Sequence, residues 1–308
     1  MEHVLVTGGA GYKGSLLVPR LLEKGYQVTV LDNFMFGIKP ILHFANHPNV
    51  SFINGDVRDK RVVATAMKNA DIIHHLAAIV GYPACSADPQ VAESVNVDGT
   101  RNICENLSQN QRLIFASTGS TYGKVKATCT EETPINPLSL YGKTKWIAEQ
   151  LVTDKGGVGL RFATVFGLSP RLRLDLLVND FVHQAIHLKQ IILYNSNWRR
   201  TFLHVRDAAE SYLFTMDNFD RMSGRAFNVG DEKMNYTKLD IALAVRKKVD
   251  YYLHEAEIGE DLDQRDYEVS YQRIRDLGYK ATVTLDEGID ELAKILPHLQ
   301  VVSEWRNA

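Results

Sequence analysis

Through its first half the chain alternates short apolar runs with segments whose apolar residues recur every three or four positions. Val4-Leu5-Val6 predicts a buried strand, and Leu16, Leu17, Leu21 and Leu22 behind it predict one stripe of a helix. The alternation continues with strands expected over Gln27–Leu31, Val50–Ile53, Asp71–Leu76, Arg112–Ala116 and Val158–Ala163. One intervening helix carries Val91, Val95, Asn96 and Val97. Another, capped by Ser139, carries Trp146, Ile147 and Leu151 as its expected buried stripe. Such alternation predicts an α/β fold, a Rossmann-type doubly wound parallel sheet over residues 1–168. From about Ser169 the order breaks into short mixed elements. Residues 169–308 therefore read as a smaller C-terminal α/β substrate-binding region, with segments around 202–230 returning to the first domain. Ile289, Leu292, Ile295 and Leu296 predict an amphipathic closing helix over Leu285–Leu296.

Between the first strand and the first helix lies Thr7-Gly-Gly-Ala-Gly-Tyr-Lys-Gly14. Gly8 suits the tight turn, Gly11 lets backbone approach a phosphate, and Gly14 lets helix pack on strand. The free N–H groups and positive dipole end of the helix favour a pyrophosphate there. The second strand ends in Asp32, eighteen residues beyond Gly14. A carboxylate at that distance is placed to accept hydrogen bonds from ribose hydroxyls and to repel a 2′-phosphate. The pattern predicts NAD rather than NADP.

Composition narrows the class without changing that reading. The 308 residues are 45% hydrophobic and 23% charged with a formal net charge of −2, which gives no basic excess to suggest nucleic acid. No apolar run approaches the roughly 20 residues of a membrane span, and no leader precedes the first strand. Cys85, Cys104 and Cys129 form no CxxC pair, which fits buried or loop thiols in a reduced cytoplasmic protein without a metal site.

Several polar positions stand at strand ends, where open parallel sheets bind ligands. Asp56 follows the third strand and suits an adenine amino group or a helix cap equally well. Ala77 and Ala78 leave room for a ligand against the backbone, and Asn96 on an apolar helix face must find a buried partner. The fifth strand runs into Ser117-Thr-Gly-Ser-Thr-Tyr-Gly123. Downstream, Tyr141 and Lys145 share one face of a helix, four residues apart. A phenol is a poor base at neutral pH, but an adjacent ammonium stabilises its phenolate. Tyr141 can then take a proton from a sugar hydroxyl oriented by Thr118, while Lys145 also holds the nicotinamide ribose. Farther on, Arg171, Arg173, Asn179, Arg199, Arg200, Arg206 and Arg265 stand among apolar residues and suggest an anion site.

These motifs together resemble the extended short-chain dehydrogenase/reductase family, in its nucleotide-sugar epimerase/dehydratase branch. The resemblance spans nearly the whole chain, from Thr7–Gly14 through Gly55-Asp-Val-Arg-Asp59, His75-Leu-Ala-Ala78, Asn96–Thr100, Ala116-Ser-Thr118, Tyr141–Lys145 and Phe202–Asp207 to Asp263–Tyr267. It implies a catalytic triad of Thr118, Tyr141 and Lys145. Cofactor contacts are implied at Gly8, Gly11, Tyr12, Lys13, Gly14, Asp32, Asn33, Asp56, Val57, Leu76, Ala77, Ala78, Asn96, Tyr141 and Lys145. Asn179, Arg200 and Arg265 match residues that hold the diphosphate and nucleotide of a nucleoside-diphosphate sugar, a task suited to the planar arginine fork. A homodimer is implied as well. Two departures stand out. Lys13 replaces the usual Ile and can cover the cofactor phosphates or reach solvent. Gly119-Ser120 lacks the Asp-Glu pair of the branch's 4,6-dehydratases, which argues against dehydration.

The expected reaction is NAD-dependent epimerisation of a nucleotide sugar through a transient 4-keto sugar. A 4-dehydrogenase or 4-ketoreductase shares the same machinery. The run Arg171–Phe181, with Arg199-Arg200 and Gln264–Tyr267, is similar to enzymes of that kind acting on GDP-heptose in bacterial surface-polysaccharide pathways. A non-catalytic NAD-sensing protein is the alternative of another class, disfavoured by the retention of Thr118, Tyr141 and Lys145 together.

Overall fold

A computed structural model describes residues 1–256, 266–299 and 306–307. Seven parallel strands form the main sheet in the order β10-β6-β5-β4-β1-β2-β3. They are β1 (His3–Thr7), β2 (Gln27–Asp32), β3 (Val50–Asn54), β4 (Ile72–His75), β5 (Arg112–Thr118), β6 (Val158–Phe162) and β10 (Ala226–Val229). The strand order reverses at β1, which opens a crevice at the carboxyl ends of β1 and β4. On one face α1 (Gly14–Glu23) packs against α8 (Val205–Asp217). The other face carries α2 (Lys60–Met67), α5 (Gly99–Asn106) and α6 (Leu140–Asp154).

Both faces are covered, so each strand is apolar on both sides. Val4 and Val6 join the core beneath α1 and α8, with Leu17, Leu21 and Tyr212. Leu5, between them, joins the opposite core with Ile73, Ile103, Phe115 and Val152. After α3 (Tyr82–Ala87) and α4 (Pro89–Glu93), a π turn over Ser94–Asp98 leads into α5.

Beyond β6 the chain leaves the sheet at Ala163, one residue earlier than its apolar run suggests. β7 (Thr164–Phe166) pairs instead with β9 (Arg199–His204), which also pairs β11 (Asn235–Thr237). β8 (Gln190–Leu193) and β12 (Tyr252–Glu255) make a two-stranded parallel sheet. α7 (Leu177–His187), α10 (Lys238–Arg246) and α12 (Leu285–Ile295) enclose a third apolar core with these strands. The remaining helices are α9 (Phe219–Met222) and α11 (Gln272–Asp276). The closing helix forms as the periodicity predicts, but Ile295 is 37% exposed while Leu296 is buried in a following turn. No described helix is long and apolar enough to cross a membrane.

One sequence expectation fails in α6. Ile147 is 41% exposed, and the face turned to the sheet carries Lys145, Ala148, Glu149 and Val152. Polar chemistry sets this rotation. Glu149 accepts hydrogen bonds from Ser117 Oγ (2.6 Å) and Arg161 Nη2 (2.7 Å) inside the protein. Gly159 permits the approach, because a Cβ there would stand 2.9 Å from Glu149 Cγ.

Candidate active site

The Gly8–Gly14 turn forms the floor of a cleft of about 370 Å³ at the strand carboxyl ends. Gly8 has φ +71°, and a Cβ on it would meet Ala77 N at 2.7 Å. A Cβ on Gly14 would lie 2.4 Å from Gly8 O, so helix and turn pack at a distance only glycine allows. No side chain caps α1, and Gly11, Tyr12, Lys13 and Gly14 all line the cleft. The start of α1 is thus left to a ligand with negative charge.

Asp32 at the end of β2 accepts hydrogen bonds from Ala10 N (3.0 Å) and Phe34 N (2.8 Å). Burial pushes its carboxyl pKa up, and the backbone N–H groups of Phe34, Ala10 and Asn33 pull it back. A carboxylate fixed at the cleft wall, one strand from the anion-accepting turn, fits an adenosine ribose. These residues suit a dinucleotide.

Asn33, Asp56, Val57, Leu76, Ala77 and Ala78 line the same cleft. Asp56 is gripped by Arg58 through Nε (2.9 Å) and Nη2 (2.7 Å), which lowers its pKa. The cap of α2 is Asp59, so of the two uses the sequence left open for Asp56, capping falls to its neighbour. Asn96 is buried behind the cleft wall. Its Nδ2 donates to Ile79 O and Thr144 Oγ1, both 3.0 Å, and its Oδ1 accepts from Ile79 N at 2.8 Å. Asn96 therefore shapes the loop after β4 and ties it to α6.

Thr118, Tyr141 and Lys145 line the cleft together. Thr118 ends β5, and its Oγ accepts from Ser120 N and donates to Ser120 Oγ, each at 3.1 Å. Ser120, noted in the sequence only for not being an acid, is thus in contact with the proposed triad. Lys145 is 2% exposed, with its ammonium 3.9 Å from the Phe115 ring centroid. Burial lowers its pKa to about 7, partly offset by the Glu149 carboxylate one turn along α6.

Of the cations in the second half, the structure brings Arg171 and Arg173 into the cleft. Arg171 stacks on Phe36 at 3.9 Å and donates to Asn307 Oδ1 at 2.7 Å. Arg173 pairs with Asp175 at 2.5 Å. Arg206 instead pairs with Glu291, and Arg199 with Glu268, outside the cleft. Arg200 and Asn179 are buried and do not line it. Asn179 accepts from Gly167 N (2.9 Å) and donates to Arg173 O (2.8 Å), so its amide supports the loop that presents Arg173. Arg265 lies outside the described residues. Phe36, Phe162, Leu176, Tyr267 and Asn307 also line the cleft. Phe36 and Asn307 carry no sequence signal of a site, and distant segments bring them in.

The fold and site define a dinucleotide-binding α/β protein. Residues 4–230 match the NAD dependent epimerase/dehydratase family, and the chain belongs to it. A putative UDP-glucose 4-epimerase of Methanocaldococcus jannaschii is 29% identical over 307 residues, covering 93% of this chain and 95% of that protein. A UDP-N-acetyl-alpha-D-glucosaminuronate decarboxylase of Bacillus cytotoxicus is 30% identical, covering 75% of each. The crystal structure of UDP-glucose 4-epimerase from Thermus thermophilus in complex with NAD superposes with TM-score 0.83 at 26% identity, covering 96% of this chain and 99% of that one. The cofactor is NAD.

Proposed function

We propose that this chain is an NAD-dependent nucleotide-sugar 4-epimerase that works through a transient 4-keto sugar. The observation that carries the reading is the meeting of Thr118, Tyr141 and a buried Lys145 in one cleft with the dinucleotide turn. The cofactor supplies reversible hydride acceptance at the sugar carbon. Tyr141 removes the hydroxyl proton and returns it, Thr118 orients the sugar oxygen, and the Lys145 ammonium stabilises the phenolate. Arg171 and Arg173 offer the substrate diphosphate its charge-assisted hydrogen bonds.

Two structural features support this reaction over its neighbours. A Cβ on Gly119 would lie 3.3 Å from the Tyr267 hydroxyl, so a larger residue beside Thr118 would crowd that hydroxyl. Gly119 and Ser120 also supply no acid for elimination of water. A protein that only senses NAD has a use for Lys145 at the ribose but none for Thr118 and Tyr141 kept beside it in the same cleft.

The test is incubation of the purified protein with UDP-, GDP-, CDP- and dTDP-sugars, followed by NMR and by absorbance of NADH. Interconversion of two C4 epimers without net NADH supports the epimerase. Accumulation of a keto sugar with NADH would replace it by a 4-dehydrogenase, with 4-ketoreduction as the reverse reaction. No turnover of any sugar would remove both.

A further inference from the structure

The sequence leaves Lys13 to cover the cofactor phosphates or to reach solvent, and the structure sets it against two aromatic rings. Its ammonium lies 3.7 Å from the centroid of the Phe162 ring and 5.8 Å from that of Tyr212, at the cleft wall. Burial, and after it the nearby cations Lys145 and Arg173, hold its pKa below the usual lysine range. A pyrophosphate on the adjoining turn acts in the opposite sense and favours the ammonium.

Three stations mark the direction of the cofactor across the sheet. Asp32 on β2 takes the adenosine ribose, the β1–α1 turn takes the pyrophosphate, and Thr118 on β5 marks the reacting end. The strand order β2-β1-β4-β5-β6 keeps these stations in line, so the nicotinamide end lies toward β5 and β6. Phe162 is the last residue of β6. The Lys13 side chain thus runs from the pyrophosphate turn to a ring at the nicotinamide end.

We propose that Lys13, bedded on Phe162, is a positioning cation beside the nicotinamide that favours reduced over oxidised cofactor. NAD+ carries a positive charge on its ring and NADH does not, while the remainder of the two molecules is alike. An ammonium at the ring end therefore repels only NAD+. An ammonium at the pyrophosphate attracts both forms equally. In the exchange of sugar alcohol plus NAD+ for keto sugar plus NADH and a proton, Lys13 moves the balance toward the keto sugar.

The inference rests on reading Thr118, Tyr141 and Lys145 as the reacting end, but its test needs no turnover. Affinities for NAD+ and for NADH are measured by titration calorimetry on the parent, Lys13→Met and Lys13→Arg proteins, after exchange of any bound nucleotide. In Lys13→Met the preference for NADH over NAD+ should fall about tenfold, chiefly because NAD+ binds more tightly. Lys13→Arg, which keeps the charge, should retain the parent preference. Equal loss of affinity for both forms in Lys13→Met would overturn the proposal and make Lys13 a pyrophosphate anchor. Unchanged affinities for both would overturn it as well. Failure of the sugar assays alone would remove the epimerase reading and leave these ratios standing.

Discussion

The Lys145 ammonium on α6 rests 3.9 Å from the centroid of the Phe115 ring on β5, with only 2% of the residue exposed. An aromatic face and a carboxylate one turn away repay part of the lost hydration, and the pKa falls to about 7. An unfolded lysine titrates near about 10.4. Between these values the unfolded chain holds a proton that the native protein releases, so stability rises with pH across that window. The penalty is full below about pH 7.

Lys145→Met should therefore stabilise the free protein while abolishing turnover. At pH 6.5 we expect Tm to rise by about 3 °C or more. The gain should shrink as pH approaches 10, where the parent lysine is neutral in the native state and increasingly so in the unfolded one. Melting curves of both proteins from pH 6 to 10 check this. A constant difference across that range would mean that the charge is not the cause.

Tyr141→Phe should remove the proposed base and leave the fold and NAD binding in place. Turnover of the nucleotide sugar should drop by about 10²-fold or more. The comparison needs a product assay together with NAD titration, and activity within a few-fold of the parent would exclude Tyr141 as the base.

Asp32 contributes to cofactor choice and to the turn at once. Asp32→Ala removes the ribose acceptor and the repulsion toward a 2′-phosphate, so the NAD preference over NADP should narrow. Because Ala10 N also loses its partner, NAD affinity itself should weaken. Titration with both nucleotides measures the two effects separately. A parent that prefers NADP would overturn the ribose assignment.

The first half of the site was legible because its signals are local. Gly8, Gly11 and Gly14 sit within one turn, and Tyr141 and Lys145 within one turn of helix, so spacing alone aligns them. The substrate side was less legible. Arg171 and Arg173 looked no different from Arg199 and Arg206, yet the loop after β7 turns only the first pair into the cleft. Asn179 looked like a ligand group, and in the structure its amide hydrogen-bonds to that loop. In α6 the apolar stripe holds at Leu151, which packs against the core, and misleads at Ile147 for a physical reason. Trp146, Ile147 and Leu151 make a stronger hydrophobic pattern than Lys145 and Glu149. A buried ion pair nevertheless turns the polar residues inward.

That ion pair sets the last prediction. Glu149 accepts from Arg161 through Nε (3.0 Å) and Nη2 (2.7 Å), and from Ser117 Oγ, with both charged side chains almost wholly buried. Arg161 also donates to Tyr122 OH (3.0 Å), whose own proton goes to Asn228 Oδ1 (2.7 Å). The network joins α6, β5, β6 and β10 directly behind Thr118 and Lys145. Glu149→Ala leaves the guanidinium without its carboxylate in a dry site, and should destabilise the fold by about 3–5 kcal/mol. Replacing both partners, as in Glu149→Leu with Arg161→Met, should cost much less because neither charge is stranded. Urea denaturation of the single and double variants measures the difference. If the double variant is no more stable than Glu149→Ala, the stranded charge is not the source of the loss. The network's role would then lie in the packing around Gly159.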